Sequence, residues 1–375
     1  MSISSRYPDT ILVNRAPGET RYALLAGEDL VEVVHRRDAE VQPGAIYLGR
    51  AGAKVPGFDA VFVSFGDTDD GVLPVKGRLP SQGAAVPVVV VVPARADKGA
   101  ELKHADIPVP EGSKAPCLLH AAPEPVDVWW QCYRDGIARI ICAPRRESAR
   151  VKALLEPEAP VEEAAEGSDL FAMHGVDAAI EAALSPVVPL PSGGSLIIEP
   201  TAAIVAIDIN AGPAYPGIAN NDALVAVAVE LRRRNIAGHI LIDIIPGRRR
   251  GELPKRLMDA LSPDPIPANV AGLTPLGMIE LTRKRVGLSL AQTLCAEDGA
   301  LSAATVAYKL LRDAVGCAFT QKAAHIEAAA APDVIALLQG PLRAALSEAE
   351  DMTKSAIALV PRPQFPRGRT DVRAA

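Results

Sequence analysis

Cysteine, aromatic residues and long apolar runs are all scarce in this chain. Its five cysteines form no CxxC pair, which argues against a disulfide framework or a zinc knuckle and favours reduced thiols. Aromatic residues make up only 4%, so any surface that stacks nucleobases must be small. The longest unbroken apolar stretch, residues 223–229, is far too short to span a bilayer. Because the first residues also lack an apolar signal core, we expect a cytoplasmic protein with no membrane partner.

Positive charge is not in excess either. A net charge of −6 and a pI near 5.6 argue against a basic coat for bulk nucleic-acid binding, although they are compatible with a local basic face. The 375 residues are 49% hydrophobic and 22% charged. Such values are typical of a folded protein with more than one domain.

The distribution of apolar residues changes along the chain. Short apolar segments separated by turns fill residues 10–110 and predict a small β-barrel. Residues 156–166 are acidic and rich in alanine and proline, which indicates a solvated linker. After residue 195, strands alternate with helices, which predicts an α/β layer. Residues 300–348 are predicted to be mostly helical, and a single strand follows at residues 357–360.

Two aspartates end neighbouring apolar strands of the predicted α/β layer. Asp208 lies in IVAIDIN and Asp243 in HILIDII, and one helix, predicted at residues 221–234, separates the two strands. A carboxylate at the end of a buried strand is unfavourable unless something there requires it. A strand–helix–strand unit makes the strands parallel and brings their carboxyl ends together. We therefore expect Asp208 and Asp243 to project into one crevice.

Two converging carboxylates are suited to a divalent cation such as Mg²⁺, which serves phosphodiester chemistry. Asn210 is two residues past Asp208, so it faces the same side of an extended strand and can hydrogen-bond without adding charge. The alternative is that each aspartate caps a nearby helix or turn. The glycine-rich loop at residues 191–195 has no Walker lysine and is predicted to be a plain turn.

Arginines form three short runs in this half of the chain, at residues 232–234, 248–250 and 283–285. If the runs border the crevice, they form a groove that follows a phosphate backbone. The alternative is that arginines at the end of a helix complement its dipole, which suits the first run best.

Aromatic residues of the predicted barrel are a further candidate for nucleic-acid contact. Phe62 and Phe65 are three residues apart, so both reach one surface only at a bulge or a strand end. Stacking of bases on barrel aromatics is the usual way to bind a single strand. The alternative, that one or both belong to the core, fits equally well. Lys98 is expected to be an exposed loop cation.

Longer motifs around these residues resemble the ribonuclease E/G family. The motifs are LPSGGSLIIEPT at 190–201, AIDIN at 206–210, ELRRRNIAG at 230–238 and GMIELTRKR at 277–285. Segments of the N-terminal half, such as GAIYLG at 44–49, are similar too. The likeness covers roughly residues 10–110 and 170–290, and motifs of this length are specific.

The resemblance implies an α+β multidomain endoribonuclease that acts on single-stranded RNA and leaves 5′-phosphate and 3′-hydroxyl ends. Four parts are implied: an RNase H-like subdomain with a reduced sensor region at 10–40 and 111–188, an OB-type RNA-binding barrel inserted in it at 41–110, a DNase I-like catalytic subdomain at 189–290, and a small helical C-terminal domain at 300–375.

The resemblance also implies roles for individual residues. Asp208 and Asp243 would hold one Mg²⁺ per active site, and Asn210 would assist them. The predicted RNA contacts are Phe62, Phe65 and Lys98, to which the basic runs add Arg233, Arg283 and Arg285.

Several family features are absent from the sequence. Only Cys295 follows the last basic run, where the family has a zinc-sharing cysteine pair, so we expect no zinc and any homo-oligomer to form without a zinc link. A barrel aromatic of the family is replaced by Val72, and residues 111–165 lack the Arg-Thr motif that senses a 5′-monophosphate. The alternative function is that of a non-catalytic RNA-binding accessory protein.

Overall fold

A computed structural model describes residues 7–66, 70–95 and 98–375. The chain divides into two compact units. The first contains the chain up to Ala39, Pro125–Lys284 and Ser289–Ala375. The second contains Glu40–Glu124 and Arg285–Leu288.

The strands in chain order are β1 Thr10–Ala16, β2 Glu19–Ala26, β3 Asp29–Arg37, β4 Ile46–Lys54, β5 Ala60–Ser64, β6 Gly71–Pro74, β7 Ala85–Val92, β8 Glu101–His104, β9 Cys117–His120, β10 Arg139–Ala143, β11 Val161–Glu163, β12 Val187–Pro189, β13 Ser195–Pro200, β14 Val205–Asn210, β15 Gly238–Asp243, β16 Ala268–Leu273, β17 Ile279–Arg283, β18 His325–Ala330, β19 Ala356–Pro361 and β20 Asp371–Ala374. The helices are α1 Pro125–Tyr133, α2 Arg145–Leu154, α3 Leu170–Met173, α4 Val176–Leu184, α5 Pro216–Arg233, α6 Leu253–Leu261, α7 Leu290–Leu294, α8 Ala303–Gln321, α9 Pro332–Gln339 and α10 Arg343–Thr353. A short 3-10 turn, Arg250–Glu252, precedes α6.

The first sheet has the strand order β11-β10-β1-β2-β3. Strands β1 to β3 form an antiparallel meander, and β10 runs parallel to β1. Strand β11 lies within residues 156–166, so the prediction of a plain linker there is wrong. Val161 pairs with Ile140 and packs against the apolar side of this sheet, which draws the segment into regular structure.

The second unit contains the predicted barrel. Its strands follow the order β5-β6-β8-β7-β4, and a further pairing between β4 and β5 closes the ring of five. Strand β9 adds to the outside of β4. Alternate side chains of β7, at Val86, Val88, Val90 and Val92, are buried, which is the pattern of strands around a small core.

The third sheet is the α/β layer, with the order β12-β13-β14-β15-β17-β16. Strands β14 and β15 are parallel and joined through α5, as the strand–helix–strand pattern predicted. The buried side chains of the sheet pack against α5 and α6 in one apolar cluster. Both aspartates lie outside that cluster, at the carboxyl ends of their strands.

The C-terminal region contains helices α8 to α10 and a three-stranded sheet of order β19-β18-β20. The prediction that residues 300–348 are mostly helical is therefore confirmed, with β18 as the one exception among the described elements of that segment. The sequence of β18, HIEAAA, is rich in alanine and has no helical period, but it is the central strand of this sheet, and tertiary pairing overrides the propensity of alanine. Among the described residues, no helix is both long enough and apolar enough to cross a bilayer.

Candidate active site

Two carboxylates face each other across a pair of parallel strands. Asp208, on β14, is the register partner of Asp243 on β15. Neighbouring strands lie about 4.8 Å apart, so the two side chains start from adjacent positions. The flanking side chains Ile207, Ile209 and Ile242 are buried in the core, whereas both aspartates are exposed. The alternation of the strands thus puts both carboxylates on the side opposite the helices.

Neither aspartate caps a helix or neutralises a cation in the described part of the chain. Asp208 accepts one hydrogen bond, 3.1 Å from the side-chain amide of Asn210. Asp243 has no hydrogen-bond or ion-pair partner among the described residues. The first residue of α5 is preceded by Tyr215, which makes no side-chain cap. The geometry therefore favours an exposed pair of carboxylates over the capping alternative.

Asn210 lies on the same exposed side of β14 as Asp208. A close backbone approach holds this end of the strand, because a Cβ atom at Gly194 would overlap the Asn210 carbonyl oxygen. A Cβ at Gly212, whose φ is +58°, would likewise overlap the carbonyl oxygen of Gly193. The loop predicted to be a plain turn therefore supports the strand end that carries Asp208 and Asn210.

The donor set suits a magnesium ion. Magnesium is commonly held by one or two carboxylates, and water molecules complete its shell. Asp208 and Asp243 supply two exposed carboxylates with no competing cation among the described residues. The described residues contain no group of three or more histidine, cysteine or acidic side chains arranged to hold a metal. The site therefore matches the two-carboxylate class and not a full protein cage.

The loop after β15 contacts the start of α5 at the carboxylate end of this sheet. Asn220 of α5 exchanges two hydrogen bonds with the backbone of Ile245, at 2.8 and 3.0 Å. A Cβ at Gly247 would lie 3.6 Å from the Cβ of Pro216. The loop after β15 thus packs against the start of α5, which follows the other aspartate-bearing strand.

The first arginine run does not reach this end of the sheet. Arg233 donates to the carbonyl of Leu30 at 2.9 Å and to Glu230 at 2.8 Å. Arg232 pairs with Glu32 at 3.0 Å. Arg233, predicted to contact RNA, is thus held by partners within the protein in this structure. Its guanidinium is occupied by partners in the first sheet and on its own helix.

Arg283 is also buried. Its side chain pairs with Asp264 at 2.8 Å, and the two side chains are 1% and 4% exposed. It also donates to the backbone carbonyl of Ile236 at 3.0 Å. Strand alternation thus directs Arg283, which was predicted to contact RNA, into the protein, where its hydrogen bond holds the segment before β15.

The second arginine run, residues 248–250, differs from the other two in being exposed to solvent throughout. Arg248 and Arg250 are exposed, and neither has a hydrogen-bond or ion-pair partner for its side chain in the described ranges. Arg249 lies 3.8 Å from Glu252. A Cβ at Gly277 would lie 3.5 Å from Nη1 of Arg250, so this run reaches the turn before β17. The run therefore leaves two guanidinium groups beside the carboxylate end of the sheet.

The predicted contacts of the second unit fall into two groups. Phe65 is 1% exposed and packs edge-on against Tyr47 at 5.3 Å between ring centroids, which agrees with the alternative that it belongs to the core. Phe62 is half-buried on β5, and Lys98 is exposed. Arg285 is partly exposed, with Glu101 4.0 Å away. The alternation along β5 points Phe62 away from the core that contains Phe65.

The fold and the site together define an α/β protein with paired carboxylates at the ends of two parallel strands. Residues 102–286, which contain the site, match the family described as "Ribonuclease E/G family". The chain is 39% identical over 165 residues to Ribonuclease G of Haemophilus influenzae, covering 39% of this chain and 33% of that protein. It is 32% identical over 222 residues to Ribonuclease G of Salmonella typhimurium, covering 54% and 45%. It is 34% identical over 200 residues to Ribonuclease E of a Nostoc species, covering 48% and 29%.

These matches show that residues 102–286 are similar to the Ribonuclease E/G family. The matched part spans less than half of the length of each of these relatives.

Proposed function

We propose that this chain is an endoribonuclease that uses Mg²⁺ to cleave single-stranded RNA during RNA processing or decay. Its products would carry 5′-phosphate and 3′-hydroxyl ends. The observation that carries the proposal is the register pairing of Asp208 with Asp243 on the exposed side of a sheet. The pair lies within the segment that matches the Ribonuclease E/G family.

The chain's own residues have distinct roles in this proposal. Asp208 and Asp243 would hold one Mg²⁺, which when bound polarises a phosphoryl oxygen and lowers the pKa of coordinated water. The Asn210 amide, which donates to Asp208 at 3.1 Å, fixes the orientation of that carboxylate. Its own oxygen is left to accept a hydrogen bond from water or from a ribose hydroxyl.

We interpret the architecture in family terms. The meander β1–β3 with β10 and β11 would form the RNase H-like subdomain, and the closed barrel, which lies between β3 and α1 in sequence, would be its OB-type insertion. Sheet β12–β17 with α5 and α6 would be the DNase I-like subdomain. On the barrel we keep Phe62, Lys98 and Arg285 as RNA contacts, because their side chains are not fully buried.

Partners and location follow the same proposal. The substrate is single-stranded RNA, and we expect the protein to act in the cytoplasm. Any homo-oligomer would form without a zinc link. Cys295 is half-buried at the end of α7, and burial raises the pKa of its thiol, which makes it a weaker zinc ligand at neutral pH.

The alternative function is a non-catalytic RNA-binding accessory protein. It is favoured by one observation, that Phe62 and Lys98 of the barrel keep accessible surface in a compact unit that does not contain the carboxylates. In that case the barrel would bind RNA, and the carboxylates would have no part in turnover.

Direct cleavage separates the two functions. A single-stranded oligonucleotide labelled at its 3′ end is incubated with the full chain in Mg²⁺ or in EDTA, with matched 5′-mono- and 5′-triphosphate forms. We expect cleavage in Mg²⁺ only, and products that a 5′-phosphate-dependent exonuclease degrades. Binding without turnover in Mg²⁺ would instead establish the accessory function. The ratio of rates for the two 5′ forms measures any remaining 5′-end preference.

A further inference from the structure

An exposed aromatic ring lies next to the carboxylate end of the α/β sheet. Tyr215 is 81% exposed, and its hydroxyl has no hydrogen-bond partner in the described part of the chain. It follows Asn210 by five positions and immediately precedes α5. Pro216 restricts the residue before it to an extended backbone, and Tyr215 has φ −64° and ψ 144°. The ring is therefore carried on a backbone with little freedom.

The position of Tyr215 is tied to both aspartate-bearing strands. It lies in the connection that leaves β14, after Asp208. The next residue, Pro216, packs against Gly247, four positions past Asp243. The hydrogen bonds between α5 and the backbone that follows β15, at 2.8 and 3.0 Å, hold the same contact one turn further on. Tyr215 is thus fixed beside the ends of β14 and β15.

The surface around this ring has the chemistry of a nucleotide-binding surface. Ile218, three positions along α5, is 54% exposed and extends the apolar area. Arg248 supplies a guanidinium with no ion-pair partner in the described ranges. We call Tyr215, Ile218 and Arg248 the Tyr215 patch. The contact between Pro216 and Gly247 brings the chain positions of Tyr215 and Arg248 close together. An exposed aromatic face and a free cation at neighbouring positions suit the base and the phosphate of a single-stranded nucleotide.

We propose that Tyr215 stacks on a base next to the cleaved phosphodiester, and that Arg248 contacts a phosphate of the same strand. This inference rests on the proposed function and adds a base-binding position to the site. Every nucleobase has a π-face, so the position would accept any base and would set the register of the strand more than its sequence. An unpaired arginine beside the ring favours RNA over a protein partner, for which an uncompensated charge at an interface is unfavourable.

The test compares two tyrosines of equal exposure. Tyr215→Ala removes the proposed stack, and Tyr7→Ala removes a ring that is 80% exposed elsewhere in the first unit. Cleavage of a short single-stranded RNA is measured as kcat/KM in Mg²⁺, and binding of the same RNA is measured by fluorescence anisotropy in EDTA. We expect Tyr215→Ala to lower kcat/KM about 5- to 100-fold, because stacking on an aromatic ring contributes that much per base. Tyr7→Ala should leave it unchanged.

A second series locates the base. Oligonucleotides with a single abasic position are cleaved by the wild-type chain, Tyr215→Ala and Tyr215→Phe. At one position next to the cut, we expect the abasic site to impair the wild type and Tyr215→Phe but to have no further effect on Tyr215→Ala. At other positions, the loss of cleavage caused by the abasic site and the loss caused by Tyr215→Ala should be independent, so that their fold-changes multiply. Tyr215→Phe should behave as the wild type, since the ring face makes the stack and the hydroxyl has no partner.

The outcomes distinguish this inference from the proposed function. If the wild type cleaves RNA and Tyr215→Ala has the same kcat/KM as Tyr7→Ala, the stacking site is overturned and the proposed nuclease function is retained. Losses that multiply at every abasic position overturn it in the same way. If no variant cleaves but Tyr215→Ala alone weakens RNA binding, the stacking site stands and the nuclease is overturned. Absence of both cleavage and Tyr215-dependent binding overturns both.

Discussion

The first unit presents the same chemical group, a carboxylate on a β-strand, in two contrasting environments. Glu19 on β2 is 1% exposed and contacts Arg312 at 2.6 Å, Arg37 at 3.2 Å and His35 at 3.2 Å. Asp208 on β14 is exposed, and its described partner is the neutral amide of Asn210. A buried carboxylate surrounded by cations contributes to stability and has no capacity left for a ligand. An exposed carboxylate without a cation contributes little to stability and can still bind one.

The electrostatics of Glu19 make the contrast sharper. Burial alone would raise the pKa of this carboxyl, but the charge of the Arg312 guanidinium, with that of Arg37 and the hydrogen bond to His35, holds it well below its ordinary value. The carboxylate is therefore charged throughout the physiological range and stabilises the fold only while its partners remain. The environment of each carboxylate, and not its residue type, decides between structure and function.

The largest effect on stability is expected at Glu19. Glu19→Gln keeps the shape of the side chain and removes the charge, which leaves buried guanidinium groups without a counter-charge. We expect the free energy of unfolding to fall by about 3–5 kcal/mol, measured by urea denaturation. RNA cleavage per folded molecule should be unchanged, because Glu19 is not in the α/β sheet. A variant as stable as the wild type would show that these contacts are not formed in solution.

Neutralising the exposed carboxylates of the α/β sheet should have the opposite effect, a large loss of cleavage with no loss of stability. We expect Asp208→Asn and Asp243→Asn each to lower Mg²⁺-dependent cleavage by more than about 100-fold, since even partners of metal ligands contribute 10- to 100-fold. The urea midpoint should stay at the wild-type value, because neither aspartate has an ion-pair partner in the described part of the chain. Undiminished cleavage by both variants would remove the carboxylates from the mechanism.

The same contrast explains how much of the site the sequence predicts. The position of Asp208 and Asp243 follows from strand periodicity and from the parallel pairing that one intervening helix imposes, and the structure confirms that arrangement. The alternation also predicts that Asn210 shares the side of Asp208. Local patterns suffice here because the partners are two residues apart or on adjacent strands.

The sequence could not predict which arginine and aromatic side chains are buried by partners distant in the chain. The three basic runs are similar in sequence, but in the structure Arg283 and Arg233 form ion pairs with Asp264 and Glu230. Phe65 lies three residues from Phe62 and points into the barrel core. The chain segments that supply these partners can be identified only once the fold is known. Tyr215 could not be predicted as a site residue, because a single aromatic residue between a strand and a helix belongs to no periodic sequence pattern.

A pH dependence of stability should come from the buried cluster of Glu19, His35 and Arg312. Burial lowers the pKa of His35 below its ordinary value of 6.5, so the unfolded chain takes up a proton before the folded protein does. Stability is therefore complete above pH 6.5 and falls as the pH drops below it. Glu19, whose pKa is held below its ordinary 4.5, adds a second loss below that pH for the same reason.

Urea midpoints measured between pH 4 and pH 8 test this dependence, with Glu19→Gln as the control. The decline below pH 4.5 should be shallower in the variant than in the wild type, because the side chain at position 19 no longer titrates whereas other carboxyl groups with a lowered pKa, such as Glu162 and Glu327, still do. A wild-type protein that is as stable at pH 4 as at pH 8 would contradict the assignment of a compact, buried charge cluster around Glu19.

The smallest effect is expected at an exposed arginine, for which a buried one provides the comparison. Arg248→Gln removes a cation with no described partner, so stability should not change. If Arg248 contacts one phosphate of single-stranded RNA, the slope of log K against log salt concentration should become shallower by about 0.7. Arg283→Gln should leave that slope unchanged. It should instead lower the urea midpoint, because the buried Asp264 carboxylate then has no positively charged partner from Arg283. Equal slopes for Arg248→Gln and the wild type would mean that Arg248 does not contact a phosphate of the bound RNA. Exposure and the lack of an ion-pair partner would then not be enough to identify the residues that contact the substrate.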